Sequence, residues 1–230
     1  MNKILQRVMA LYFSINFFFT ISFVVVLMFL FRKHHKIFRH YWAKLQLFML
    51  GIKVDVVGKP DTSAKMVLLN HQSVADIVIL EALYPADLSW VAKKEIGDIP
   101  FFGHILDYPE MISIDRENKR SLVQLFKDAK DRLKKGRVIA IFPEGTRSNG
   151  KKILPFKAGA KLVAEKLDLR VQPAVFIHTI DVFDSKNFKA NFGTKVKLIY
   201  LDPIDPKSDK DWYKKLKEDM EKTLQKELLS

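Results

Sequence analysis

The sequence predicts an α/β domain, a mostly parallel sheet flanked by helices, behind an N-terminal membrane-associated two-helix segment. Three observations predict it. A charge-free run, ALYFSINFFFTISFVVVLMFLF, fills residues 10–31. From about residue 60 onward, short β-branched runs alternate with amphipathic stretches of helix length, the pattern of parallel strands joined by helices. The 230 residues are 48% apolar and 12% aromatic. That is ample material for a core, and it excludes a disordered or collagen-like chain. The implied division is membrane-anchoring helices over 1–52 and an α/β domain over 53–230.

In order along the chain, residues 10–31 come first. As a helix they measure about 33 Å, close to the thickness of a bilayer core. The run ends in Arg32, Lys33, His34, His35 and Lys36, not in a small-x-small cleavage site, which argues against a signal peptide. Phe17–Phe19 and Val24–Val26 make it apolar all round, unlike an amphipathic surface helix. The basic cluster after the run puts the following domain on the cytoplasmic face, the inner membrane in a bacterium. Over 37–52, Phe38, Tyr41, Trp42, Leu45, Phe48 and Ile52 recur every three or four residues, with Lys36, Arg39, His40 and Lys44 largely between them. This is a basic amphipathic helix, suited to a membrane interface, to packing on the domain, or to both.

The remaining elements follow. Strands are expected at 66–69, 88–91, 111–114, 137–142, 171–178 and 195–200. Helices are expected at 74–83, at 119–135 with Asn118 as cap and Gly136 as stop, at 156–167 and at 209–228.

Charge and cysteine content narrow the function. Thirty-nine Lys and Arg stand against 26 Asp and Glu, a net of +13. Residues 1–60 hold +8 of it, from nine basic residues and Asp55. An anionic partner is implied, and a basic excess flanking an apolar segment points to a membrane surface and not to nucleic acid. No cysteine is present, which excludes disulfides, thiolate metal sites and a Cys nucleophile.

Two polar loops leave predicted strand ends, where open α/β sheets bind ligands. The first is Asn70-His71-Gln72-Ser73-Val74-Ala75-Asp76. Asp76, in the first turn of a helix, can accept a hydrogen bond from one imidazole nitrogen of His71 and leave the other as a base. Taken alone, the spacing favours a capping Asp beside an ordinary loop His. The second is Phe142-Pro143-Glu144-Gly145-Thr146-Arg147-Ser148. Arg147 offers a fork of donors suited to phosphate, Thr146 and the backbone at Gly145 add neutral donors, and Glu144 is placed to pair with Arg147. The stretch Gly145–Lys152 nearly fits a P-loop, but Lys152 stands where the metal-binding hydroxyl belongs. No G-x-S-x-G nucleophile elbow is present. His104 and His178 read as ordinary loop or core histidines, and no metal site is expected.

Together, Asn70-His71-x-x-x-x-Asp76 and Phe142–Ser148 resemble the glycerolipid acyltransferases of the 1-acyl-glycerol-3-phosphate type. Lys93-Lys94-Glu95, Ile114-Asp115-Arg116, Leu154–Ala160 and Val171-Gln172-Pro173 resemble further blocks of that family, so the likeness runs from about 60 to 205. It implies the glycerolipid acyltransferase fold. It also implies transfer of a fatty acyl group from acyl-CoA or acyl-carrier protein to the sn-2 hydroxyl of lysophosphatidate, making phosphatidate. His71 and Asp76 are then the catalytic pair. Lys93, Arg116, Glu144, Gly145, Thr146 and Arg147 are then the acceptor site. The partners are membrane phospholipid and the two substrates; nucleic acid, metal and bound cofactor are not required. Another lysolipid or glycerol-3-phosphate is the alternative acceptor, and a non-catalytic membrane-bound anion-binding protein is the alternative of another class. The chain departs from the family at Glu110, where many members carry Gly, which sets an acid near the expected phosphate site; Ala174 replaces a common Val. The likeness accommodates either a membrane span or a hairpin in one leaflet.

Overall fold

The computed structural model describes residues 2–115 and 121–229. Helix α1 spans Lys3–Leu30 and starts at Asn2, whose side chain accepts the Ile4 N–H. A 3₁₀ turn, Arg32–His34, reverses the chain into α2, His35–Met49. The two helices run antiparallel. Asn16 lies against Met49, Thr20 against Gln46 and Trp42, and Phe31 against Phe38. The polar residues of the apolar run have a structural use. Thr20 Oγ1 accepts Trp42 Nε1–H at 3.0 Å and Gln46 Nε2–H at 2.9 Å.

The domain follows as β1 (Lys53–Val57), β2 (Met66–Leu69), α3 (Ala75–Leu83), β3 (Leu88–Lys93), α4 (Lys94–Gly97), α5 (His104–Asp107), β4 (Ile112–Ile114), α6 (Ser121–Lys134), β5 (Val138–Ile141), α7 (Ala158–Lys166), β6 (Val171–Ile177), α8 (Thr179–Val182), β7 (Phe183–Asp184), β8 (Lys189–Ala190), β9 (Lys195–Tyr200) and α9 (Trp212–Leu229). The main sheet has the order β1-β9-β6-β2-β5-β3-β4. Strands β6, β2, β5, β3 and β4 are mutually parallel; β9 pairs antiparallel to β6 and carries β1 with it. Strands β7 and β8 form a separate hairpin.

Period-two alternation divides the core. Met66, Leu68, Ile139, Ile141, Val171 and Val175 face α6, α7 and α9. Val67, Leu69, Val138, Ala140, Ala174 and Phe176 face α3 and the first half of α1. Both faces are covered, so the central strands read as continuous apolar runs. Strand β1, an exposed edge, and the short β7–β8 hairpin lack that signal and were not expected from the sequence.

Helix α1 is long and apolar enough to cross a membrane. It nevertheless touches the α/β domain from end to end. Gln6 hydrogen-bonds Asn191, Phe13 stacks on Phe183 at 4.3 Å, Phe18 on Phe102 at 6.0 Å, and Phe29 meets Tyr108 at 5.6 Å. Its outward side carries exposed Val8, Phe19, Phe23 and Leu30, and α2 adds exposed Tyr41, Leu45 and Phe48. The expected stripe on α2 is divided: Trp42 is buried against α1, whereas Tyr41, Leu45 and Phe48 face out. Arg39, one of the basic residues of this amphipathic helix, is buried and paired with Glu81 and Asp87, which bears out packing on the domain. It joins α2 to the domain.

Glu110 is also corrected by the fold. It precedes β4, at the end of the strand opposite Asp115, and pairs with Lys135 and Arg132 at the end of α6. The Lys135 hydrogen bond holds its carboxyl below the usual range. Its φ of 51° lies in the left-handed region, where glycine is the unstrained choice. The acid therefore does not oppose a phosphate at the carboxyl end of the sheet.

Candidate active site

Strands β2 and β5 are parallel neighbours with Leu68 paired to Ile141. His71 and Glu144, each three positions beyond that pair in the loops that leave the two strands, lie side by side. The register brings together two loops whose contacting residues are 73 positions apart in sequence.

His71 Nδ1 lies 2.8 Å from Asp76 Oδ2. The same oxygen accepts the backbone N–H of Gln72 at 2.7 Å and of Ser73 at 2.9 Å. Asp76 is fully buried in the first turn of α3, where the helix dipole favours a carboxylate. The carboxylate thus fixes the protonated nitrogen at Nδ1, and no described residue hydrogen-bonds Nε2. The ring, 12% exposed, stacks on Phe142 with centroids 3.8 Å apart, and Phe142 stacks in turn on Trp90. The loop is pinned from below. Asn70 brackets the Phe176 peptide group with two hydrogen bonds, Gln72 donates to Phe176 O, and Ser73 Oγ donates to Phe183 O.

Glu144 does not pair with Arg147. It turns inward, 1% exposed, and its two oxygens accept the His71 N–H and the Leu154 N–H, each at 2.7 Å. Burial pushes its carboxyl up to about 7, with the Asp76 charge adding to the effect and the two N–H groups opposing it. Ser148 N–H closes the arrangement by donating to His71 O at 2.8 Å. The turn between requires Gly145, whose φ is 70°. Glu144 is therefore a brace between loops, a role its spacing to Arg147 did not disclose. Phe142 and Trp90 were likewise missed as ring partners, since a strand-end aromatic carries no distinctive sequence signal.

Arg147 is exposed and donates from Nη1 to Ser185 Oγ at 3.0 Å. A cleft of about 810 Å³ opens at the carboxyl ends of β3, β4 and β5. Ile114, Leu122 and Leu125 give it apolar walls, and Lys93, Gly145 and Thr146 also line it. Lys93 pairs with Glu95 at 2.8 Å. His71 meets this cleft through Phe142, which is part of its wall. Arg116, expected at the acceptor site, and Asn118, the expected helix cap, lie outside the described residues. His104 and His178 are exposed beside Asp107 and Asp181, as ordinary surface histidines.

Comparison with known proteins gives this geometry a family. The Acyltransferase family profile matches residues 53–177. This chain belongs to that family. A 1-acyl-sn-glycerol-3-phosphate acyltransferase of Helicobacter pylori is 46% identical over 76% of this chain and 74% of its own length. A yeast protein of the same name is 32% identical over 68% of the chain, which spans about half (53%) of that relative. The crystal structure of the LPA acyltransferase PlsC from Thermotoga maritima superposes with a TM-score of 0.79 at 26% identity, covering 100% of this chain and 98% of that one. The mostly parallel sheet flanked by helices is thus the fold of this acyltransferase family.

Proposed function

We propose that the protein acylates the sn-2 hydroxyl of lysophosphatidate to give phosphatidate, using acyl-CoA or acyl-carrier protein as donor. The observation that carries this reading is the His71–Asp76 pair, with Nδ1 fixed and Nε2 open. Nε2 takes the proton of the acceptor hydroxyl as its oxygen attacks the thioester carbonyl. The new C–O bond forms, the C–S bond breaks, and the proton passes from the imidazolium to the departing thiolate. Asp76 holds the ring and stabilises its charged form. No acyl-enzyme is involved, and the thioester is reactive enough for a positioned base to act without metal or cofactor.

Arg147, Lys93 and Arg116 hold the acceptor phosphate, and Gly145 and Thr146 shape the loop around it. A cleft with apolar walls and two lysines, Lys93 and Lys157, suits an amphiphile with one anionic end. The exposed apolar sides of α1 and α2 seat the enzyme on the cytoplasmic face of the membrane. The contact of α1 with the domain along its whole length favours a seat in one leaflet over a bilayer span. The names of the relatives support the choice of acceptor.

The test is acyl transfer in liposomes with labelled acyl-CoA or acyl-carrier protein, lysophosphatidate and the wild-type protein beside His71→Ala. Phosphatidate from the wild type, lost in the variant, is the expected result. No product with either donor from folded protein overturns this acceptor, and other lysolipids are then the substrates to try.

A further inference from the structure

The β7–β8 hairpin joins the two parts of the molecule that the proposed reaction requires at a membrane. On one side it packs on α1: Phe183 stacks on Phe13, and the residues just beyond β8 continue the contact, Asn191 with Gln6 and Phe192 with Tyr12. On the other side Ser185 accepts the hydrogen bond from Arg147. Ser73, in the catalytic loop, donates to Phe183 O.

The tip between the strands is rigid and unusual. Asp184 Oδ1 accepts the N–H groups of Lys186 and Asn187, and Oδ2 accepts Asn187 Nδ2. The one acid of the tip is thereby turned into its own turn. Phe188 follows with φ 51°, a left-handed conformation that is costly for an aromatic residue, yet its ring belongs to none of the core clusters and is 41% exposed. Lys186 and Lys189 flank it, and neither forms a salt bridge among the described residues. An exposed aromatic between two lysines, at the tip of a hairpin whose base packs on α1, has the chemistry of an interfacial anchor.

We propose that this hairpin tip is a second membrane contact, with Phe188 entering the interface and Lys186 and Lys189 meeting anionic headgroups. It seats Arg147, through Ser185, at the level where the acceptor phosphate lies. The last step rests on the acceptor reading above; the membrane contact itself does not.

The chain has no cysteine, so single-cysteine labelling is available in the full-length protein. An environment-sensitive fluorophore is placed at Phe188→Cys, at Phe19→Cys on α1 and at Lys222→Cys on the opposite side of the sheet. Phosphatidylglycerol-containing vesicles are then added. Blue shifts and protection from iodide at 188 and 19, but not at 222, support the proposal. A shift at 19 alone overturns it while leaving α1 on the membrane, and no shift at either overturns both membrane contacts. Lys186→Ala combined with Lys189→Ala weakens vesicle binding by about tenfold, lost at high salt. Phe188→Asn suits the left-handed backbone. It lowers kcat/KM about tenfold on lysophosphatidate in vesicles and leaves activity on short-chain lysophosphatidate dispersed as monomers unchanged. An equal loss on both overturns the membrane role. Absence of phosphatidate from the wild type counts against the acceptor assignment, and the label at 188 still decides the contact.

Discussion

Two clusters of charge sit at opposite ends of the same parallel strands. At the amino ends of β3 and β5, Arg39 and Arg137 meet Glu81 and Asp87, with Trp90 Nε1–H donating to Glu81 and Leu88 O accepting from both arginines. At the carboxyl ends, His71, Asp76, Glu144 and Arg147 are arranged differently. Asp76 and Glu144 are as buried as the charges of the first cluster, but His71 Nε2 and most of the Arg147 fork are left for something else. The difference teaches how to separate architecture from chemistry. A structural cluster matches charges against one another, because an unpaired buried charge costs several kcal/mol. The second cluster buries its carboxylates and leaves His71 Nε2 and Arg147 open, as the proposed reaction requires.

Mutations that act on one cluster and not the other sharpen this division. The largest effect is expected from His71→Ala, which removes the proposed base. Phosphatidate formation falls by about a thousandfold or more, with the denaturation midpoint nearly unchanged. A comparable loss of stability would place His71 among the structural groups instead. Arg39→Leu reverses the pattern. It leaves Glu81 and Asp87 short of a partner and costs about 3 kcal/mol or more in urea unfolding, while kcat per folded molecule stays near the wild-type value.

Glu144→Gln tests the brace through pH. Burial raises the carboxyl from 4.5 to about 7, so between those values the native state holds a proton that the unfolded chain has released. The stability linked to Glu144 is present below about pH 4.5 and declines as pH rises to 7. The variant lacks that slope. The stability difference between wild type and Glu144→Gln therefore narrows from pH 5 to pH 8, on the order of 2 kcal/mol by denaturant titration. Parallel pH curves would mean that Glu144 is solvated. The smallest effect is expected from Arg147→Lys, which keeps the charge and loses the fork. The KM for lysophosphatidate rises about tenfold, with kcat and the donor KM unchanged. A fall in kcat alone would move Arg147 from binding into the reaction.

The contact between His71 and Asp76 was legible as a possibility, because five residues are a distance that one strand-end loop and one helical turn close by themselves, and the likeness to the acyltransferase motifs singled it out. The central strands were legible for a similar local reason, since burial on both faces writes a continuous apolar run. Glu144 was misread. Its proximity to Arg147 in sequence suggested a pair, but it lies in the turn beyond β5, and the neighbouring loops supplied its partners, the N–H groups of residues 71 and 154. For Arg39 the sequence left domain packing and a membrane interface both open. Helical periodicity locates a face, and only the packing of α3 against α2 turned that face inward.

The sequence by itself therefore determined what is local: the alternation that makes the α/β fold, the His71–Asp76 spacing, the second motif and the apolar segment at the front. Tertiary structure alone decided which loops became neighbours, through the pairing of β2 with β5. It also laid α1 along the domain and put Ser185 beside Arg147. Such contacts join residues tens of positions apart, and their energy comes from burial and register that no single segment encodes.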